Sequence, residues 1–278
     1  MGASIYPVSA ACLMVGLPFL AGHSFAAQVI LTAVADTSLF ENHPDSNLGG
    51  TTLVSGTNQQ FSRSRGLFCF DLSALPVGAT ITEVHVTLNV TRRPDPDQHG
   101  GPVDSDFSLF RLLADWGEGS GGEVTGSNAQ PGDATWNERH FGSDSWATPG
   151  GLAGVDYASD PSATTSIGGL GTYVWGSSTE LIADAQGWLD DPATNFGFIL
   201  ISQNEGTAGT GRRFASNEQP GGGVPAPQLE LTYIVPEPSS LTLATIGMLG
   251  FTRRVRRREQ RSFGHDVVGR PEGLVRPG

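Results

Sequence analysis

Glu83-Val84-His85-Val86-Thr87-Leu88-Asn89-Val90 alternates polar and apolar residues along its whole length. Successive side chains of a β-strand point to opposite faces of the sheet, so this period of two is typical of a strand with one buried face. Half-buried strands of this kind occur mainly in antiparallel sheets, whose other face meets solvent. The stretch therefore predicts an antiparallel sheet packed on a hydrophobic core.

Other segments with a similar pattern extend this interpretation along the chain. Turn clusters such as Asn47-Leu48-Gly49-Gly50 and Leu75-Pro76-Val77-Gly78 separate them. The further predicted strands are 28–35, 51–55, 66–72, 105–114, 196–202 and 228–234. Together these segments predict an all-β fold, an antiparallel β-sandwich.

One segment has the period of a helix instead. Its apolar residues fall on one helical face: Leu181, Ile182, Ala185, Trp188 and Leu189. Ser177 and Glu180 have the spacing of a capping box at the start, and Asp191-Pro192 marks the end. We expect one short helix packed on the sandwich.

The composition fits many short strands and excludes one class of partner. Glycine accounts for 38 of 278 residues, about twice the usual share of ~7%, and every one of the 16 basic residues is arginine. Residues 28–235 contain 24 acidic residues against 8 arginines, a net charge of −16. Nucleic acid is excluded as a partner because its phosphates require a basic face.

The N-terminus has the features of a secretory signal peptide. An apolar core at 9–22 is followed by Ser24-Phe25-Ala26 before Ala27, small residues where a signal peptidase cuts. The sequence predicts a signal peptide over 1–27, processing at Ala26 and Ala27, and a mature domain over 28–235. Cys69 is the one cysteine left in that domain, so no intrachain disulfide forms, and its apolar neighbours predict a small buried residue.

Residues 236–258 contain three elements in order: the Pro236-Glu237-Pro238 motif, an apolar stretch at 241–251 and an arginine cluster that ends at Arg258. This order resembles the PEP-CTERM sorting signal of Gram-negative bacteria. The resemblance implies processing by an exosortase-like enzyme, a transient membrane contact, and export to the cell envelope, cell surface or extracellular matrix. The alternative is a basic tail after a folded domain. Residues 259–278 are predicted to be a disordered basic tail.

The order of motifs within 28–235 resembles the DNRLRE domain. The matching segments are Asp36 with 44–49, 65–81, Trp116-Gly117-Glu118, Ala134-Thr135-Trp136-Asn137, and Phe214-Ala215-Ser216-Asn217-Glu218. The resemblance implies a jelly-roll-like β-sandwich related to carbohydrate-binding modules, some of which recognise acidic polysaccharides such as alginate. The long spacers 117–134 and 152–172 depart from the family pattern. Glycine-rich loops at 117–134 and 150–171 are therefore predicted to be either functional or partly disordered.

One acidic segment has the spacing of a calcium loop. Asp95, Asp97, His99, Gly100 and Asp106 occupy its positions 1, 3, 5, 6 and 12, where alternate carboxylates converge on one cation. Such a loop would bind calcium through Asp95, Asp97 and Asp106. The alternative is a solvated acidic connector between strands, which is the more frequent origin of such a pattern.

Two kinds of side chain are candidates for contacting a polysaccharide. Trp146 and Trp175 lie next to glycine-rich loops and are predicted to be exposed platforms for sugar rings, whereas Trp116, Trp136 and Trp188 are predicted to pack in the core.

Arginines are the second kind, because a guanidinium holds a carboxylate through two hydrogen bonds. The candidates are Arg139 and Arg213, together with Arg63, Arg65 and Arg212. For Arg65 and Arg212 the favoured alternative is an internal ion pair with Asp71 or Glu218.

No catalytic motif is present in 28–235. The domain has no Gly-x-Ser-x-Gly elbow, no Ser-x-x-Lys and no His-x-x-x-His pair. The sequence therefore predicts an exported, non-catalytic protein that binds extracellular polysaccharide. Two alternatives remain open: a structural envelope or matrix protein without a soluble ligand, and a polysaccharide lyase or hydrolase that uses paired carboxylates.

Overall fold

Strands dominate the described part of the chain. A computed structural model describes residues 26–97, 100–122, 126–218 and 223–236, which belong to one compact unit, Phe25–Pro236. The predictions for residues 1–25, for His99, for the sorting segment from Glu237 onward and for the tail 259–278 lie outside the described residues. Within those residues no helix is both long and apolar enough to cross a membrane.

The strands in chain order are β1 (Ala26–Phe40), β2 (Ser46–Asn47), β3 (Leu53–Thr57), β4 (Arg63–Phe70), β5 (Thr80–Arg92), β6 (Ser105–Arg111), β7 (Ser127–Asn128), β8 (Glu138–His140), β9 (Asp144–Ser145), β10 (Ala163–Ile167), β11 (Gly171–Trp175), β12 (Phe198–Ser202), β13 (Arg212–Phe214) and β14 (Gln228–Ile234). The helix α1 spans Thr179–Asp190 and a single 3-10 turn follows at Pro192–Thr194.

Two small two-stranded sheets, β2–β7 and β8–β9, accompany two large sheets, which are linked by the pairing of β3 with β4 and by β1. The first half of β1, from Ala26 to Thr32, pairs with β14, and its second half, from Ala33 to Phe40, pairs with β4. One sheet continues from β14 to β5, which also pairs with β11 and β13, and β13 pairs with β3. The other sheet continues from β4 to β12, β6 and β10. These pairings are all antiparallel, which confirms the predicted all-β sandwich.

The main hydrophobic core lies between the two sheets. Val84, Val86 and Leu88 of β5 are fully buried there together with Phe68 of β4 and Phe198 of β12. The residues between them on β5 are exposed or half-buried at positions 83, 85 and 87. From position 83 to position 88 the alternation of the sequence is thus the alternation of burial, as expected for a strand with one face on the core, whereas Asn89 is buried although it is polar.

A second core covers the opposite face of β4 and β12. Leu67 and Ile199 contribute from the strands, and Trp136, Trp146 and Tyr157 contribute from the segment that packs over them. Because the sheet is buried on both faces here, the described residues of 112–157 form a structural layer rather than a free loop.

The helix forms as predicted, with its cap shifted by one residue. Ser178 is the N-cap, and its hydroxyl accepts a hydrogen bond from the backbone N–H of Leu181 at 3.0 Å. The hydroxyl of Ser177 accepts instead from the backbone N–H of Val84 at 3.0 Å, which ties the start of the helix to β5. Trp188 is buried against Phe198, with 4.8 Å between ring centroids.

Several strands lie outside the predicted strands. β7 falls within the predicted loop 117–134 and β10 within 150–171, β11 begins at the last residue of that second loop, and β13 falls in a stretch with no strand prediction. β10 pairs with β6, and β11 and β13 both pair with β5, so partners far along the chain complete short strands that glycine-rich or turn-like neighbours conceal in the sequence.

Candidate functional site

An open cleft of about 490 Å³ lies at one end of β13 and β3. Its floor includes Val54 of β3, Ser64 of β4 and Arg213 of β13. Segments that follow or join the strands form the rim. They contribute Asn42 and His43 after β1, Asn58, Gln59 and Gln60 between β3 and β4, and Arg93, Pro94 and Asp95 after β5.

Strand register places two of the cleft arginines side by side. Arg213 pairs with Arg92 of β5 on one side and with Val54 on the other. Residues that are directly opposite on antiparallel strands lie close enough for like charges to repel. Partial burial first, and then repulsion by the charge of Arg92, lower the pKa of Arg213 from its usual value.

Four arginines line the cleft, and three of them differ from the other arginines of the domain in lacking ion pairs, whereas the fourth, Arg212, is buried and pairs with Asp104. Five of the eight arginines in 28–235 pair with carboxylates: Arg63 with Glu41, Arg65 with Glu205, Arg111 with Asp184, Arg139 with Asp115 and Asp144, and Arg212 with Asp104. The remaining three are Arg92, Arg93 and Arg213, and all of them line the cleft. No described carboxylate pairs with any of the three.

This concentration of unpaired cations is unusual in a domain whose net charge is −16. An unpaired guanidinium can donate two parallel hydrogen bonds to a carboxylate or a sulfate. The cleft therefore has the chemistry of a binding site for an anionic group. Asp95 also lines it, with its Oδ1 accepting from the backbone N–H of Asp97 at 3.0 Å.

The predicted arginines have different surroundings. Arg213 lies in the cleft opposite Arg92, and no described carboxylate pairs with either arginine. The Arg213 guanidinium is therefore available to bind an anionic ligand. Arg139, on β8, is paired with Asp115 and, at 3.3 Å, with Asp144, and it does not line the cleft. The sequence did not lead to Arg92 and Arg93 as candidates. The doublets Arg92-Arg93 and Arg212-Arg213 are unusual in an acidic domain and could have indicated a site for an anionic ligand.

The prediction that Trp146 and Trp175 are exposed is wrong. Trp175 is fully buried on β11 and donates from Nε1 to the carbonyl of Phe107 at 2.8 Å. Trp146 is 4% exposed, lies in the second core, and donates from Nε1 to the carbonyl of Thr135 at 2.9 Å. The segments beside both rings are packed against the sandwich, so neither ring can stack on a sugar.

The predicted calcium loop is not assembled from its three carboxylates. The side chains of Asp95, Asp97 and Asp106 are exposed, and Asp106 accepts a short hydrogen bond from Ser166 of β10. No group of three or more His, Cys, Asp or Glu side chains among the described residues is arranged to hold a metal ion. The exposed positions fit the alternative of a solvated connector.

Arg65 and Arg212 have the internal role that was the favoured alternative, with other partners. Arg65 is buried and donates from Nε and Nη2 to the two carboxylate oxygens of Glu205, at 2.8 and 2.7 Å. Arg212 is 1% exposed and donates to five backbone carbonyls, those of Val103, Gly168, Gly209, Thr210 and Gly211. Neither pairs with Asp71 or Glu218, and burial lowers the pKa of Arg212.

A cluster of three carboxyl groups, which the sequence did not reveal, lies beside the glycine-rich loop. Asp36 is fully buried, and its backbone N–H donates to Oε1 of Glu118 at 2.9 Å. Burial, opposed by a hydrogen bond from the backbone N–H of Asn217 and reinforced by Glu218 and Glu118, raises the pKa of Asp36 to about 8. The Asp36 carboxyl is therefore neutral at pH 7.

Cys69 lies close to this cluster and is a thiol rather than a thiolate. Burial first, and then the charges of Glu118 and Asp36, raise its pKa to about 11. A thiol with so high a pKa is a poor nucleophile. The Cys69 side chain is half-buried, whereas the sequence predicted a buried residue.

Asn47 holds the loop 117–134 against the sheet. Its Nδ2 donates to the carbonyls of Glu118 and Ala134, at 2.7 and 3.0 Å, and to the hydroxyl of Thr37 at 3.2 Å. Its Oδ1 accepts from the backbone N–H groups of Gly49 and Gly121, at 2.9 and 3.0 Å. The described part of this loop is therefore an ordered structural layer.

Comparison with known proteins identifies one segment of the chain. Residues 235–258 match the PEP-CTERM protein-sorting motif, which confirms the sorting signal predicted from the sequence. This motif indicates export, exosortase-type processing and a cell-surface or extracellular location in bacteria. No curated protein matches the chain.

Proposed function

We propose that the sorted protein is a non-catalytic binding protein for extracellular polysaccharide, and that the arginine cleft binds acidic groups of the polymer. The observation that carries the proposal is the set of three arginines without carboxylate partners, gathered in one open cleft of an acidic domain. The sorting motif supports it, because export brings the domain to a surface where such polymers occur.

Two further features support this function. The rim of the cleft carries amide side chains, and those of Asn42 and Gln60 make no hydrogen bond with any described residue, so their donors and acceptors are free for sugar hydroxyls. The order of motifs in 28–235 resembles the DNRLRE domain, whose relation to carbohydrate-binding modules implies the same class of ligand. The acidic cluster offers little to a hydrolase, because Asp36 is inaccessible to a substrate.

The cleft is tested by Arg213→Gln. We expect retention of the purified full-length chain on a uronate-containing polysaccharide to weaken about tenfold or more, since a charge-assisted hydrogen bond contributes about 1.5–3 kcal/mol. Affinity electrophoresis measures the retention, and added salt should weaken binding of the parent more than of the variant.

Arg139→Gln is the matched control, because it removes the same charge from a surface arginine that is already paired. All variants keep the arginines that follow residue 235, so any attraction of that segment for the polymer cancels in the comparison. Equal loss in both variants would contradict a specific cleft. Absence of retention of the parent on every polymer would favour a structural envelope protein, and new reducing or unsaturated ends would indicate an enzyme.

Processing at both termini is a separate prediction. Ala26 at the start of β1 pairs with Ile234 at the end of β14, so the two predicted processing regions adjoin the same end of one sheet. Envelope-derived protein should lack the residues before Ala27 and those beyond the Pro236-Glu237-Pro238 region. Intact mass spectrometry checks this, and a mature species that retains both Met1 and Arg258 would contradict it.

A further inference from the structure

The turn between β3 and β4 contains a strained aromatic residue. Phe61 has φ of 59° and is the one non-glycine residue with positive φ among the described residues. This left-handed conformation brings the Cβ of an L-residue too close to the backbone and is normally left to glycine or asparagine. A bulky aromatic residue there indicates strain that the surroundings maintain.

The turn itself enforces this conformation. The backbone N–H of Phe61 donates to the carbonyl of Asn58 at 3.3 Å, and Oδ1 of Asn58 accepts from the N–H groups of Gln60 and Ser62, both at 2.9 Å. Hairpin loops of this length usually place glycine at the left-handed position. Asn58 thus fixes a backbone for which phenylalanine is a poor choice.

Packing does not explain why the residue is phenylalanine. Its side chain is 67% exposed, and it belongs to neither hydrophobic core. Burial of the ring in the folded protein therefore contributes little to offset the strain. A function outside the folding of the domain accounts for an exposed ring at this position.

The position of the turn indicates what the ring contacts. Asn58, Gln59 and Gln60 of the same turn line the arginine cleft, and Phe61 follows directly in sequence, adjacent to these lining residues. A flat apolar ring packs on the C–H face of a sugar while neighbouring polar groups bind its hydroxyls. Cleft arginines would then hold the acidic substituents of the same polymer chain.

We infer that Phe61 is a ligand-binding residue, a stacking platform for one sugar ring of the polysaccharide held in the arginine cleft. The inference rests on the proposed function and adds the aromatic contact that Trp146 and Trp175, being buried, do not provide. It gives the strained backbone a function, because the turn fixes the backbone of an exposed aromatic residue next to the cleft.

Phe61→Gly separates binding from folding, because the two respond in opposite directions. We expect the variant to melt at a higher temperature than the parent, since glycine relieves the strain. Its retention on the uronate-containing polysaccharide should weaken about fivefold to tenfold, because the stacking contact is lost. Calorimetry and affinity electrophoresis of the purified full-length chain measure the two effects.

Phe61→Tyr and Phe61→Trp are the matched variants, and both should keep retention within about twofold because they keep a flat ring. Unchanged retention of Phe61→Gly beside a retained parent would overturn the stacking role while leaving the arginine cleft intact. A parent dimer that Phe61→Gly converts to monomer without a change in retention would also overturn it, by assigning the ring to contact with a second copy. Failure of the parent to bind any polymer would instead remove the proposed function.

Discussion

Asn47→Asp is expected to lower the free energy of unfolding by about 4 kcal/mol at neutral pH. The substitution replaces the donor Nδ2 by an oxygen that faces the carbonyls of Glu118 and Ala134. An ionised group without a partner in a buried site costs about 3–5 kcal/mol, and each carbonyl that loses its donor adds to the loss. Urea denaturation followed by tryptophan fluorescence measures the change.

Asn128→Asp provides the matched control for this prediction. Asn128 lies on β7, in the same two-stranded sheet as Asn47, but its side chain is exposed and makes no hydrogen bond with described residues. The same change there should alter stability by less than about 0.5 kcal/mol. Similar losses at both positions would show that Asn47 does not anchor the loop through its amide.

Local patterns in the sequence determine much of the sandwich. The alternation in β5 reflects one buried face, whereas β4 and β12, which are buried on both faces, were recognised as short apolar runs between turn residues. The helix follows from five apolar residues on one face. The N-cap is Ser178 rather than Ser177, because the Ser177 hydroxyl accepts a hydrogen bond from the backbone N–H of Val84 on β5. The spacing of Ser177 and Glu180 in the sequence gives no information about this long-range contact.

Long-range pairing determines what the sequence did not show. Arg65 bonds Glu205, 140 positions away, whereas the sequence suggested Asp71 or Glu218, because only the register of the sheets decides which carboxylate meets the guanidinium. Trp146 and Trp175 are buried for a similar reason, since their segments gain partners in β6, β5 and the second core. The glycines near Trp146 and Trp175 led to the prediction of loops, but neighbouring glycines do not determine whether a tryptophan side chain is exposed.

The candidate cleft shows the same division between local and long-range information. Arg213 was a candidate from its residue type alone, whereas the unpaired charge that distinguishes it from Arg139 arises from its pairing with Arg92. The exposed Phe61 was not singled out, because its strain depends on a backbone angle that the turn sets. Residue type therefore predicted the chemistry of the site, and the fold decides which residues supply it.

Asp36→Asn is expected to stabilise the protein at alkaline pH by on the order of 5 kcal/mol, and to have little effect at pH 4. The Asp36 carboxyl has a pKa of about 8 when folded against 3.8 in the unfolded chain, chiefly because it is buried. Below pH 4 it is neutral in both states. Between pH 4 and 8 only the unfolded chain loses the proton, so the stability of the parent falls as pH rises, and above pH 8 the loss is complete.

Asparagine mimics the neutral carboxyl and cannot ionise, so the variant does not lose this contribution to stability as the pH rises. Its Oδ1 can still accept from the backbone N–H of Asn217, and its amide nitrogen takes the position of the buried Asp36 oxygen that makes no hydrogen bond. The measurement compares the melting temperatures of parent and variant from pH 4.5 to 9, in EDTA so that no divalent cation neutralises the cluster. The difference between the two melting temperatures should grow as the pH rises.

Asp71→Asn is the control. Hydrogen bonds from Ser73 lower the pKa of Asp71, so the contribution of Asp71 to stability disappears on acidification instead. Parallel profiles for the parent and Asp36→Asn would show that the buried carboxyl does not carry a proton in the folded state.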